Sequence, residues 1–209
     1  MNILPKTSKN PCNHGFSLIE MLIAMFITLV LMGLVTTLFA GSLGMRSRES
    51  RRTDALTAGR GALSTISREI GNSGYGLTSN GIVAADSNAK RIHIRANLDN
   101  TDYATTNVGE DVTYFFDTAT QSIVRYDPNT TPTTSVVVNK ISDVSFSYFD
   151  YVGSNSTPTN PPTPTADTGR VRLTVVVKLD PVQGQPANQT VTFVSDVTLR
   201  NSTYMLNQY

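Results

Sequence analysis

The stretch HGFSLIEMLIAMF, residues 14–26, carries a single acid, Glu20, at the head of an apolar run. From Met21 to Phe39 there is no charge for 19 residues, long enough for a helix to cross a bilayer. A carboxylate beside lipid-facing residues is costly, and an ionisable residue in such a place is by default a functional one. A plain membrane anchor explains the length of the run but not Glu20, unless that carboxylate reaches water at the headgroups. The flanks are also unlike those of a secretory signal, in which a small-residue cleavage site follows the apolar block. Here Gly15 precedes the block, behind Lys6, Lys9 and His14, and AGSLGMRSRES follows Phe39. The lone cysteine, Cys12, also lies ahead of the run, so it forms no disulfide within the chain and builds no cysteine zinc site. The residues before it are polar and proline-broken, unlike those before a lipid-acceptor cysteine.

HGFSLIEMLIA closely resembles the processing motif of type IV prepilins and of the pseudopilins of type II secretion. The resemblance rests on Gly15, Phe16, Ser17-Leu18-Ile19, Glu20 and the following apolar run. It implies that a membrane prepilin peptidase and N-methyltransferase cuts between Gly15 and Phe16 and methylates the new amino terminus of Phe16. Glu20 then matches the family's glutamate at the fifth mature position. A buried carboxylate is tolerated when paired, and cleavage supplies a charged amine for that pairing on a neighbouring subunit. The implied organisation is a leader, 1–15, a transmembrane and filament-core helix, 16–45, its amphipathic continuation, 46–74, and a β-rich pilin domain, 75–209. The resemblance also implies an inner-membrane protein with its C-terminal domain outside the cytoplasm. Its expected partners are inner-membrane lipid, other minor and major pilins and assembly-platform proteins.

The positive-inside rule points the other way. Lys6 and Lys9 precede the span while Arg46, Arg48, Arg51 and Arg52 follow it. The resemblance is given precedence, and the arginines are read as the polar side of a continuing helix. Leu56, Leu63, Ile66 and Ile70 recur at spacings of seven, three and four, one face of an amphipathic helix. Ala55 and Ala62 widen that stripe; Arg52, Arg60, Arg68 and Glu69 fall on the opposite, solvated side. Gly59 and Gly61 each weaken a helix by about 1 kcal/mol relative to alanine, or permit close packing. The cluster 71–76, GNSGYG, is a stop signal. One helix of about 55 residues from Phe16 to Ile70 is expected from these spacings. No proline interrupts its apolar half, where Gly33, Gly41 and Gly44 are the only softening residues. That departs from the family's major subunits and leans toward a minor one.

Beyond residue 75 the text turns to strands. Arg91–Arg95 is a short candidate, and 111–117 with 121–127 forms a hairpin. Residues 142–151 alternate Val144, Phe146 and Tyr148 with serines. The stretches 170–180 and 190–200 each carry an apolar face and are expected to pair. The fold class is α+β: a pilin-like lollipop with the long helix packed on an antiparallel sheet. The proline-rich segment 153–169 reads as a flexible surface loop. The run 59–76, the Ile123–Tyr126 hairpin strand, 144–151 and VTLRN, residues 197–201, are similar to PilW-type minor pilins. That group is related to the J-type minor pseudopilin.

With a net charge of +1 the chain offers no strongly basic nucleic-acid surface. Only His14 and His93 exist, and no metalloprotease, phosphate-loop or nucleophile-elbow pattern occurs. Asp99, Asn100 and Asp102 lack the glycine and terminal glutamate of a calcium loop. Tyr114, Phe115, Phe116 and Tyr126 are read as strand-core aromatics, not a base-stacking platform. The expectation is a PilW-like minor pilin with no enzymatic activity, cofactor, metal or nucleic-acid partner. A minor pseudopilin and a membrane-tethered binding protein are the alternatives.

Overall fold

The computed structural model describes residues 15–152, 157–181 and 186–208. Lys6, Lys9, Cys12, His14 and the first part of the proline-rich segment, 153–156, lie outside them. Helix α1 runs from Leu18 to Gly71, 54 residues, within two residues of the expected span at both ends. Contacts divide the chain into two units, Met1–Ser47 and Arg48–Tyr209.

In the first unit α1 is uncharged between Glu20 and Arg46, and exposed except at half-buried Gly44 and Ser47. It alone among the described residues is a helix long and apolar enough, by length and composition, to cross a membrane. Gly33 and Gly41 have open space around them, and the helix passes both without interruption.

The second unit contains the C-terminal part of α1 and seven strands: β1 (Arg91–Arg95), β2 (Asp111–Asp117), β3 (Ser122–Tyr126), β4 (Thr134–Val138), β5 (Ile141–Asp150), β6 (Thr168–Lys178) and β7 (Thr190–Thr198). They form two antiparallel sheets instead of the single sheet expected: β1-β2-β3-β4 and β5-β6-β7. The switch falls at a two-residue turn, Asn139-Lys140, with Lys140 at φ 59°. Strand alternation specifies which face is buried, but not where a meander stops adding to one sheet and starts another. β7 pairs over its full length with Arg170–Lys178 of β6, with Leu173 opposite Ser195 and Val175 opposite Phe193. Strand β4 was not anticipated; its TSVVV follows a turn-rich DPNTTPT segment that masks five strand-favouring residues.

One core joins both sheets to α1. Ile92, Val112, Tyr114 and Ile123 come from the first sheet, and Val144, Phe146, Tyr148, Val171, Leu173 and Val175 from the second. Ile66 and Ile70 of α1 are fully buried among them, a burial worth about 1.5–3 kcal/mol per side chain. Leu56 and Leu63 are only half-buried, and the seam is completed by Gly59 and Ala62. A Cβ on Gly59 would stand 2.6 Å from the Phe193 ring, while Gly61 faces open space. One glycine is therefore a packing device and its neighbour is not.

The helix ends as expected at Gly71, and Gly74 and Gly76 adopt left-handed φ values of 78° and 66°. The described end of the proline-rich segment is held rather than loose. Thr159 pairs with Asp150 through two backbone bonds. Buried Asp150 accepts the hydroxyls of Thr165 at 2.5 Å and Thr168 at 2.6 Å. Asn80 Nδ2 donates to the carbonyls of Thr165 and Thr168.

Candidate functional site

Gly15, Phe16 and Ser17 precede α1 in non-helical conformation, and all are exposed. Phe16 is 87% exposed. Ser17 sits immediately before the first helical residue, Leu18. Its backbone N–H donates to Glu20 Oε2 at 3.3 Å, and its carbonyl accepts from Met21 N–H at 3.1 Å. Ser17-x-x-Glu20 is thus a capping-box arrangement, in which the acid at the third helical position satisfies an orphan donor. The carboxylate also lies in the first turn, where the helix dipole favours negative charge. That local role is written in the sequence as S-x-x-E and was not part of the reading of Glu20.

Beyond Glu20 the polar groups of the apolar run are satisfied within it. Thr28 bonds back to the Ala24 carbonyl. Thr36 donates to Met32 O at 2.7 Å and Thr37 to Leu34 O at 2.8 Å. A helix whose hydroxyls are spent internally exposes no unmet donor to lipid or to apolar neighbours.

The second unit holds two ionic clusters. In the first, Glu69 Oε2 accepts the Tyr114 hydroxyl at 2.8 Å and Arg125 Nε at 3.2 Å. Arg125 Nη1 reaches the fully buried carboxylate of Asp127 at 3.2 Å. Asp127 also accepts the N–H groups of Gly109 and Asn129. Glu69 is therefore not on a solvated side as expected. It lies three residues after Ile66, on the flank of the buried stripe, and that spacing was the available signal. Burial, then the charge and hydrogen bond of Glu69, drive the Tyr114 phenol far above its ordinary range, against a smaller opposing effect of Arg125. Burial works against the charge of Arg125, but Glu69, Tyr114 and Asp127 together raise its pKa.

In the second cluster His93 lies between two carboxylates. Its Nδ1 is 3.0 Å from Asp86 Oδ2 and its Nε2 contacts Asp111 Oδ1. Arg91 and Arg95 engage the same two acids at 2.9 and 3.0 Å. Asp99 is occupied by Thr101 and by Asn107 Nδ2, and buried Glu110 accepts from Leu98, Asp99 and Asn107 N–H. Among the described residues no group of three or more His, Cys, Asp or Glu is placed to hold a metal ion. Of the four strand aromatics, Tyr114 is core and Phe116 packs against it. Phe115 is half-buried, and Tyr126 is 38% exposed.

In both clusters the charged groups are engaged by side chains and backbone of the same unit. Residues 10–36 match the prokaryotic N-terminal methylation motif. The match places a type IV pilin-like prepilin signal on this chain. No curated protein and no solved structure matches this chain.

Proposed function

We propose that this chain is a PilW-like minor type IV pilin, cut between Gly15 and Phe16, methylated on Phe16 and acting in pilus initiation or at the tip. The observation that carries the reading is the exposed Gly15–Phe16 bond standing just ahead of a helix whose third residue is Glu20, within the methylation motif. Residues 1–15 are the leader and 16–45 the inner-membrane and filament-core helix, with the remainder outside the cytoplasm. In the isolated subunit the Ser17 N–H holds the Glu20 carboxylate. In the assembled filament the methylated amine of a neighbouring Phe16 takes it as counter-charge, which offsets the cost of burying it.

The N-terminal peptide mass of protein isolated from membranes tests this. A chain beginning at N-methylated Phe16 is expected; one beginning at Met1 in cells with active prepilin peptidase overturns the reading. Gly15→Ala is expected to block processing. The methylation motif serves pseudopilins equally, so a minor pseudopilin is the alternative. Deletion of the gene separates the two, with loss of pili expected and loss of secreted proteins supporting the alternative.

A further inference from the structure

The arginines that follow the span run against the orientation proposed above, on which this inference rests. Two lysines precede the span and four arginines follow it, whereas basic residues normally collect on the cytoplasmic flank. Chain charge carried outward against that preference calls for counter-charge on the outer side. The uncharged run extends from Met21 to Met45, 25 residues. At about 1.5 Å per residue it exceeds the ~30 Å hydrocarbon layer, so the charge that follows it begins outside the hydrocarbon.

Within the Arg48–Tyr209 unit, Arg48, Arg51 and Arg52 line an open polar cleft of about 420 Å³ with Glu49, Asp180 and Gln189. Of the cleft's two acids, Asp180, two residues beyond β6, is already taken, since Lys140 Nζ lies 2.6 Å from its Oδ2; Glu49 is the other. Arg51 Nη1 donates to the Pro181 carbonyl at 3.0 Å, which fixes its guanidinium at the cleft. Planar guanidinium groups suit the paired oxygens of a phosphate. We propose that this cleft binds the phosphate of an anionic phospholipid headgroup, docking the β-unit on the bilayer before the subunit leaves it. The apolar run needs no such contact to stay in lipid; the cleft instead sets the β-unit's position at the surface.

The test uses the full chain in nanodiscs of phosphatidylcholine alone or with equimolar phosphatidylglycerol, read by hydrogen exchange over residues 48–52 and 189–191. Exchange is expected to slow at least about fivefold with phosphatidylglycerol and to recover in ~1 M salt, where screening is nearly complete. Arg51→Gln/Arg52→Gln should abolish the difference, Arg51→Lys/Arg52→Lys, which keeps the charge without the planar fork, should keep only part of it, and Arg68→Gln should leave it unchanged. Unaltered exchange over β1–β3 separates lost binding from lost folding. Equal exchange in both discs overturns the proposal. So does equal protection by inorganic phosphate in phosphatidylcholine discs, or protection seen only with an acidic partner subunit. The N-terminal mass of the same preparation reports on processing. A chain starting at Phe16 without lipid dependence therefore sinks this inference alone, while one starting at Met1 sinks the functional reading.

Discussion

Glu69 Oε2 receives both the Tyr114 hydroxyl and the Arg125 guanidinium, so one oxygen ties α1 to β2 and β3. Glu69→Ala would strand a buried phenol and leave Arg125 with Asp127 as its named acid. A loss of about 1–3 kcal/mol is expected, measured by denaturant unfolding. Glu20 poses a different question, because it serves a cap in the subunit and is proposed to serve an amine in the assembly. Glu20→Gln separates the two, since glutamine at the third helical position still satisfies a capping box but carries no charge. Cleavage is expected to continue in both Glu20→Gln and Glu20→Val, with co-purification of partner pilins falling in both. Assembly that survives in Glu20→Gln and fails only in Glu20→Val would assign the effect to the cap.

Along α1, Gly59 and Gly61 are two residues apart and meet opposite surroundings. Gly61→Ala adds a methyl to open space and should stabilise by up to about 1 kcal/mol through helix propensity. Gly59→Ala drives a methyl into Phe193 and should lower the unfolding midpoint. In a Phe193→Ala background the same substitution should turn neutral or stabilising. The comparison of the two glycines also marks the limit of the text. Composition and period placed the helix within two residues at each end, and the strand alternation placed six of the seven strands. The spacing does separate them, since Gly59 stands seven residues before Ile66 within the apolar stripe and Gly61 falls off it; what the letters do not show is that Phe193 of β7 lies across from Gly59. The half-burial of Leu56 and Leu63 has the same origin, as the seam chose small residues where β7 approaches closely. β4 escaped notice because its proline- and threonine-rich approach outweighed a short valine run. At the N-terminal segment the order was reversed: motif residues were legible one by one, while the Ser17–Glu20 cap was plain in the letters and overlooked.

For the folded β-unit as a whole, pH acts through Tyr114 and Tyr148, whose phenols burial pushes well above the ordinary value. A raised folded-state pKa contributes stability that is present below the unfolded value of about 10 and is lost as pH rises above it. Alkaline titration followed by tyrosine absorbance should therefore show two phenols ionising only as the unit unfolds. Tyr148→Phe, which keeps the ring, should soften that alkaline dependence while costing the hydroxyl's bond to the Asn88 carbonyl, 2.9 Å long. Simultaneous ionisation of all tyrosines in a still-folded unit would contradict the packing of both rings.

The backward bonds of Thr28, Thr36 and Thr37 bear on traffic between two solvents. A hydroxyl that depended on a neighbour would have to break one partnership in lipid and form another among subunits, in each direction. Here every such partnership travels with the helix. Moving the segment from acyl chains into a bundle of like helices exchanges only its van der Waals neighbours, and the journey back exchanges them again. In the proposed passage between lipid and filament these hydroxyls therefore add no hydrogen-bond cost in either direction.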